Sequence, residues 1–225
     1  GVTPASILEE LTGQAGDKGN STAGIVAEGR LASVIMEDRL GPWVFENGKL
    51  SETPAPQALG AFRARDVSIK GANAVDPNGN IGVLAADGGG GTVGGIWGTL
   101  TARGAHWVAP VSLERLVPDV IEAARECGNH LWDLTMGQSA GLMPVVNAQV
   151  VTEIEAIAIL SGVKATHVAS GGVSGSEGAV MLSLTGEEAD VRAAFEMLEG
   201  IKGEEQFESP RLIPYIREPE TAPSA

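Results

Sequence analysis

Apolar residues recur along this chain with two different periods, and the way these periods alternate predicts an α/β fold. In the middle of the chain the pattern predicts a strand at residues 66–70, a helix at 92–103, a buried strand at 105–111 and a helical segment at 112–126. Pro118 either splits this segment or begins a new helix after Val117. Strands that alternate with helices indicate right-handed crossovers in a parallel sheet. We therefore expect a Rossmann-like, parallel-sheet core.

The last third of the chain shows a different order. The pattern predicts a strand at residues 145–151, a helix at 152–160, strands at 166–170 and 179–184, and a final helix. Thr152 with Glu155, and Thr185 with Glu188, match the capping box that begins a helix. The order β-α-β-β-α over residues 145–203 is typical of a ferredoxin-like unit. We expect an α/β core at residues 1–144, a smaller C-terminal α+β unit at 145–203, and an acidic, proline-containing tail at 204–225.

Shorter elements are predicted before the core. A helix begins near Pro4, and residues 57–65 form another short helix. Apolar runs at residues 23–27 and 32–36, together with the strong turn signal Asn47-Gly48, predict a small β-meander over residues 23–50.

Charge and composition narrow the function classes. The formal net charge is −14, which argues against nucleic acid or an anionic membrane as the main partner, because Lys and Arg supply that attraction. Cys127 is the one cysteine, so no intramolecular disulfide is possible, and the three histidines are not spaced as metal ligands. No run approaches a membrane span of about 20 apolar residues, and no signal peptide is recognised. We expect a cytoplasmic protein with neither metal nor cofactor.

The densest glycine run lies between the first strand of the core and its helix. Gly88, Gly89, Gly90 and Gly91 permit close backbone approach, and Thr92 is expected to cap the helix and to offer a hydroxyl. The helix dipole favours negative charge at that end, so a phosphate or carboxylate is the expected ligand.

Two features of the run leave an alternative open. Asp87 precedes it and opposes an anion unless this carboxylate is paired. The alternative to an anion site is that the glycines form a tight turn and let the helix pack closely against the sheet. The run is neither a Walker loop nor a spaced dinucleotide motif, because no Lys-Ser/Thr pair follows it and no acidic residue stands where a ribose needs it.

Residues 71–80, Gly-Ala-Asn-Ala-Val-Asp-Pro-Asn-Gly-Asn, and residues 98–110 resemble the NagB/RpiA/CoA-transferase-like superfamily. This superfamily includes sugar-phosphate isomerases, initiation factor 2B-like proteins and LutC-like proteins, and the similarity covers mainly residues 60–112. It implies a glycine segment that binds phosphate. The isomerase acid is replaced here by Asn73, the lysine before the glycine run is replaced by Asp87, and no motif marks the glutamate that CoA-transferases use.

These patterns together predict a protein that binds a small anionic metabolite, of the sugar-phosphate or CoA type, without isomerase activity. The expected ligand-binding residues are Lys70, Asn73, Thr92 and the four glycines from Gly88 to Gly91. One alternative is an enzyme, of the isomerase or acyl/CoA-transferase type, with altered catalytic residues; Asp76 is its candidate acid, and His130 a second one. Another alternative is an oligomeric interaction module, and a homo-oligomer is the macromolecular partner that we expect.

Overall fold

The computed structural model describes residues 2–203 and 207–214 of the chain, and it is a mixed α/β structure. The helices are α1 Val2–Thr12, α2 Ala55–Ala61, α3 Gly91–Arg103, α4 Val120–Arg125, α5 Glu153–Ser161 and α6 Glu188–Gly200. The strands are β1 Gly24–Ala27, β2 Arg30–Ser33, β3 Val44–Glu46, β4 Lys49–Ser51, β5 Val67–Ile69, β6 Ala74–Val75, β7 Ile81–Ala85, β8 His106–Pro110, β9 Gly141–Val145, β10 Gln149–Val151, β11 Lys164–Ser170 and β12 Val180–Thr185.

The described structure contains a three-stranded parallel sheet with the strand order β10-β8-β5. This confirms the parallel sheet predicted from the alternating pattern. The helix predicted at residues 112–126 is interrupted, as Pro118 indicated: a 3-10 turn at Leu113–Arg115 comes first, and α4 begins after Asp119, whose side chain caps it. Proline lacks the N–H that a continuous helix would need there.

A second, antiparallel sheet of order β6-β7-β9 packs with α3 against the parallel sheet. The core between them is formed by Ala72, Val75, Ile81, Val83, Val93, Leu100, Trp107, Ala109, Val111 and Val145.

The single strand predicted at residues 145–151 is wrong. The chain forms β9, which pairs with β7, and then β10, which pairs with β8 in the other sheet. The bend between them is held by Asn147, whose side chain accepts from Trp97 Nε1 and donates to Thr101 Oγ1 of α3, both at 3.3 Å. The domain boundary at residues 144 and 145 stays a prediction; β9 spans it.

The N-terminal strands form two separate hairpins, β1–β2 and β3–β4, so the expected β-meander is wrong. The turn at Asn47 and Gly48 is confirmed: both residues have positive φ, 53° and 78°, as a type I′ turn requires. Each hairpin closes on itself through local pairing, and no pairing joins β2 to β3 among the described residues.

The last unit contains α5, the antiparallel hairpin β11–β12, and α6. Its core is formed by Ile157, Val163, Ala165 and Ala194. The capping box at Thr152 and Glu155 is confirmed. The one at Thr185 is wrong, because Thr185 ends β12 and α6 begins at Glu188 without a side-chain cap. Residues 207–214 of the expected tail at 204–225 are described, and Leu212 among them pairs with Val34; the rest of that tail lies outside the described residues.

None of the helices in the described ranges has the length and apolar character that crossing a membrane requires.

Candidate functional site

Lys70 follows the last residue of β5 and extends its pairing, since its N–H donates to the Val108 carbonyl at 3.1 Å. The residue is half-buried, and burial lowers the pKa of its ammonium. Among the described residues no carboxylate forms an ion pair with it. Lys70 is therefore a partly desolvated cation that no carboxylate of residues 2–203 and 207–214 neutralises.

The register of the sheet shows which side Lys70 faces. Ser68 pairs with Trp107, and side chains alternate along a strand, so Lys70 lies on the same face as Ser68 and the buried Trp107. The indole N–H of Trp107 has no hydrogen-bond partner among the described residues. This face thus carries two donors, one charged and one neutral, that the described part of the chain leaves unpaired.

Asn73 joins the turn after β5 to β7. Its N–H donates to the Gly82 carbonyl at 2.8 Å, and its Oδ1 accepts from the Leu84 N–H at 3.0 Å. The side-chain oxygen therefore has a structural partner, while the residue itself lies at the surface. Its assignment as a ligand contact stays a prediction.

Asp76 is buried, and its carboxylate accepts four hydrogen bonds. Oδ1 accepts from the N–H groups of Asn78 and Asn80 at 2.9 and 3.0 Å; Oδ2 accepts from Asn80 Nδ2 at 2.9 Å and the Val120 N–H at 3.1 Å. Burial by itself raises the pKa of Asp76, but the bonds from Asn80, Val120 and Asn78 together bring it below its usual value. A carboxylate held this way is a weak base. The catalytic role of Asp76 stays a prediction, and these contacts weigh against it.

The glycine loop is organised by its own acidic residue. Asp87 Oδ1 accepts from the N–H groups of Gly89 and Gly91 at 2.8 and 3.3 Å, and the Asp87 carbonyl accepts from Gly90 at 3.0 Å. Two of the donors expected for an external anion therefore bond an internal carboxylate. Gly90, with φ at 80°, is the N-cap of α3 and makes no side-chain cap, so the expectation that Thr92 caps the helix is wrong.

The connectivity brings these groups to one end of the sheet. Because β5 and β8 are parallel, the chain must return between them, and we infer that α3 begins at the end where β5 finishes. Lys70, Asn73 and the loop from Gly88 to Thr92 then share that end.

Arg115 lies at the same end and was missed by the sequence reasoning. Its Nη1 donates to the Ala72 carbonyl, and its Nε pairs with Glu114 at 3.3 Å. The signal that identifies it is positional, because Arg115 stands in the 3-10 turn shortly after β8, as Lys70 stands directly after β5.

Other chemically active side chains lie elsewhere. His106 begins β8 and pairs with Val67 at the start of β5, so it lies at the end of the sheet opposite to Lys70. His130 is an exposed residue of an irregular segment. Two surface cavities of about 740 and 490 Å³ are lined by α1 with the end of α6, and by β12 with the start of α6. Neither includes Lys70 or the glycine loop. In the ranges that the structure describes, no three His, Cys, Asp or Glu residues are grouped as metal ligands.

Comparison with known proteins gives no match: no family model fits this sequence, and neither a curated protein nor a solved structure is significantly similar to it.

Proposed function

We propose that this chain binds a small anionic metabolite, of the sugar-phosphate or CoA-ester type, at the end of the parallel sheet that carries Lys70. The observation behind the proposal is that this half-buried ammonium has no ion-pair partner among the described residues. Partial burial of a charge is unfavourable unless an opposite charge compensates it. A bound phosphate or carboxylate supplies that charge.

Because of the contacts of Asp87, we centre the proposed site on Lys70 rather than on the glycine loop. An anion placed on Gly89 and Gly91 would displace or repel the Asp87 carboxylate. We therefore give Lys70 the main role, with Arg115 as a second cation, and give Asn73, the loop glycines and Thr92 supporting contacts. The positive end of the α3 dipole acts on the same ligand without direct bonding.

We also propose a Rossmann-like core, a ferredoxin-like C-terminal unit and a cytoplasmic location for this protein. A Rossmann-like core of the NagB/RpiA type is supported by the parallel pairing of β5 and β8, since α3 lies in the segment of chain that connects these two strands. A ferredoxin-like C-terminal unit is supported by the order β10-α5-β11-β12-α6, although β10 pairs with β8 rather than with the hairpin. A cytoplasmic location is proposed because Cys127 is the single cysteine of the chain.

The contacts favour binding over turnover. The enzyme alternative needs an acid that can exchange a proton, and the Asp76 carboxylate already accepts four hydrogen bonds. The alternative of an oligomeric interaction module depends on a different part of the molecule, the β11–β12 hairpin.

Calorimetric titration tests the proposal with inorganic phosphate, ribose 5-phosphate and acetyl-CoA as probes and uncharged ribose as the control ligand. Lys70→Met keeps the apolar stem and removes the charge, so we expect affinity for the bound anion to fall about 10- to 100-fold, the usual value of a charge-assisted contact. Lys49→Met, which removes an exposed lysine of β4, is the matched control and should bind like the wild type.

Two outcomes contradict the proposal. One is that none of the three anions binds; the other is that Lys70→Met binds as tightly as the wild type. Turnover of ribose 5-phosphate by the wild type, abolished in an Asp76→Asn variant that thermal melts show to be folded, would instead support the enzyme alternative.

A further inference from the structure

The β11–β12 hairpin forms a two-stranded sheet, and within the described part of the chain no third strand pairs with either of its edges. The strand that precedes it in the β-α-β-β-α order, β10, pairs with β8 and leaves the hairpin unextended. Isolated two-stranded sheets are marginally stable in water, and open edges invite further pairing. Helices α5 and α6 cover one face of the hairpin only.

The two open edges differ in their protection. β11 carries Lys164 and an irregular register between His167 and Ala169, and both a charge and a bulge discourage pairing with another strand. β12 reads Val-Met-Leu-Ser-Leu-Thr, without a charged residue, a proline or a register shift of its own. The edge of β12 is therefore the one that is competent for pairing.

Apolar surface accompanies the β12 edge. Met181 is 60% exposed on β12, and Phe195 is 54% exposed on α6. Between the end of β12 and α6 lies the cavity of about 490 Å³, lined in part by Leu184, Val191 and Phe195. On its rim Arg192 pairs with Glu188 at 2.9 Å, which locally offsets negative charge in a chain of net charge −14.

The chain as a whole exposes more surface than a compact monomer of its size. The chain exposes 14648 Å², whereas a folded monomer of this size exposes about 9,600 Å². The fifteen residues outside the described ranges account for at most about 2,400 Å², the value for a fully extended chain. More than roughly 2,000 Å² of excess remains, and a stable dimer buries about 800 Å² per partner.

We propose that two copies of this chain associate through β12, which pairs antiparallel with the β12 of a second copy. The product is a four-stranded sheet of order β11-β12-β12-β11, with the two α6 helices side by side and Phe195 and Met181 near the new interface. Antiparallel pairing of identical strands is self-complementary, so one edge suffices and the assembly closes as a two-fold dimer. The inference does not depend on the anion site, which lies on the other sheet.

Sedimentation velocity of the full chain across a concentration series tests this dimer. The wild type is expected at twice the monomer mass at micromolar concentration. Met181→Lys adds a charge to the pairing strand and should shift the midpoint of dimer formation at least tenfold higher. Val168→Lys on β11 is the matched control, because Val168 is also 60% exposed but lies on the protected strand; it should dimerise normally.

Hydrogen exchange supplies a second measurement that does not depend on a variant. The β12 amides should exchange more slowly as the concentration rises, while the β11 amides change less. Thermal melts of each variant show whether it is folded, and Phe195→Lys replaces Met181→Lys if the latter unfolds. A wild type that stays monomeric at about 100 µM overturns the proposal. So does a dimer that Met181→Lys and Phe195→Lys leave intact, or one that Val168→Lys disrupts equally.

Discussion

Asp76 and Val120 are joined by a hydrogen bond of 3.1 Å, from the Val120 N–H to Asp76 Oδ2, although 44 residues separate them. Val120 is the first residue of α4, and Asp76 is the first residue of the turn between β6 and β7. One buried carboxylate thus orders a turn and satisfies an unpaired donor at a helix start. This contact explains the burial of Asp76 without a substrate.

Replacement of Asp76 by Asn should destabilise the fold by roughly 2–4 kcal/mol, because buried donors lose an acceptor and the new amide donates toward them. Urea unfolding measures the change. Asp119→Ala, which removes only the α4 cap, should cost about 1 kcal/mol, and Asn78→Ala should be nearly neutral because only the Asn78 backbone contacts Asp76. A change below 1 kcal/mol in Asp76→Asn would contradict the structural role.

Stability should fall as the pH drops below about 4, where unfolded Asp and Glu take up protons. The pKa values of Asp76 and Glu155 are lower in the folded chain than in the unfolded chain. Their contribution to the stability of the fold is therefore complete above the pKa of the unfolded state, and it is lost as the pH falls through the pKa of the folded state. Unfolding free energies between pH 3 and 6 test this. Asp76→Asn should flatten the profile, and an unchanged slope would contradict the assignment.

Gly90→Ala should destabilise the start of α3 by about 1–2 kcal/mol, because φ is 80° at this position. An added Cβ would also lie 3.0 Å from Met143 Cε. Gly88→Ala is the control, since a Cβ there meets nothing within 4 Å, and it should cost less than 0.5 kcal/mol. Thermal melts compare the two. Equal effects of both changes would show that the loop is held differently.

Arg103 donates to three carbonyls near the end of α2: Leu59 at 3.3 Å, Gly60 at 2.7 Å and Phe62 at 3.0 Å. Arg103→Gln should therefore lower the unfolding free energy by about 1 kcal/mol, since the side chain is exposed. Arg65→Gln, which also removes an exposed arginine, provides the comparison in the same chemical unfolding series. If both variants unfold alike, Arg103 does not hold α2.

Local signals identified much of the secondary structure. Thr152 and Glu155 lie three residues apart, so their mutual capping is readable from the chain itself, and so is the turn at Asn47 and Gly48. The strand predicted at residues 145–151 failed because an apolar run does not show where it bends. That bend depends on Trp97 and Thr101, about fifty residues away in the chain.

Some residues of the candidate site were likewise recognisable from local patterns, and others were not. Lys70 and the glycine run were recognisable because a cation after a strand and glycines before a helix are local patterns. The contact of Asp87 with Gly89 and Gly91 was less evident, although it is local, because whether a carboxylate turns toward the loop or away depends on the loop conformation. Arg115 required knowledge that β8 pairs with β5.

The sequence by itself determined that this chain alternates strands and helices, because side-chain periodicity follows from backbone geometry. It also determined the parallel sheet, since short crossovers allow few other arrangements. Only the tertiary structure decided that Asp76 serves as a buried acceptor, that β10 joins β8, and that no described strand other than β11 pairs with β12. Those outcomes depend on which distant groups compete for the same hydrogen bonds, and no local pattern encodes that competition.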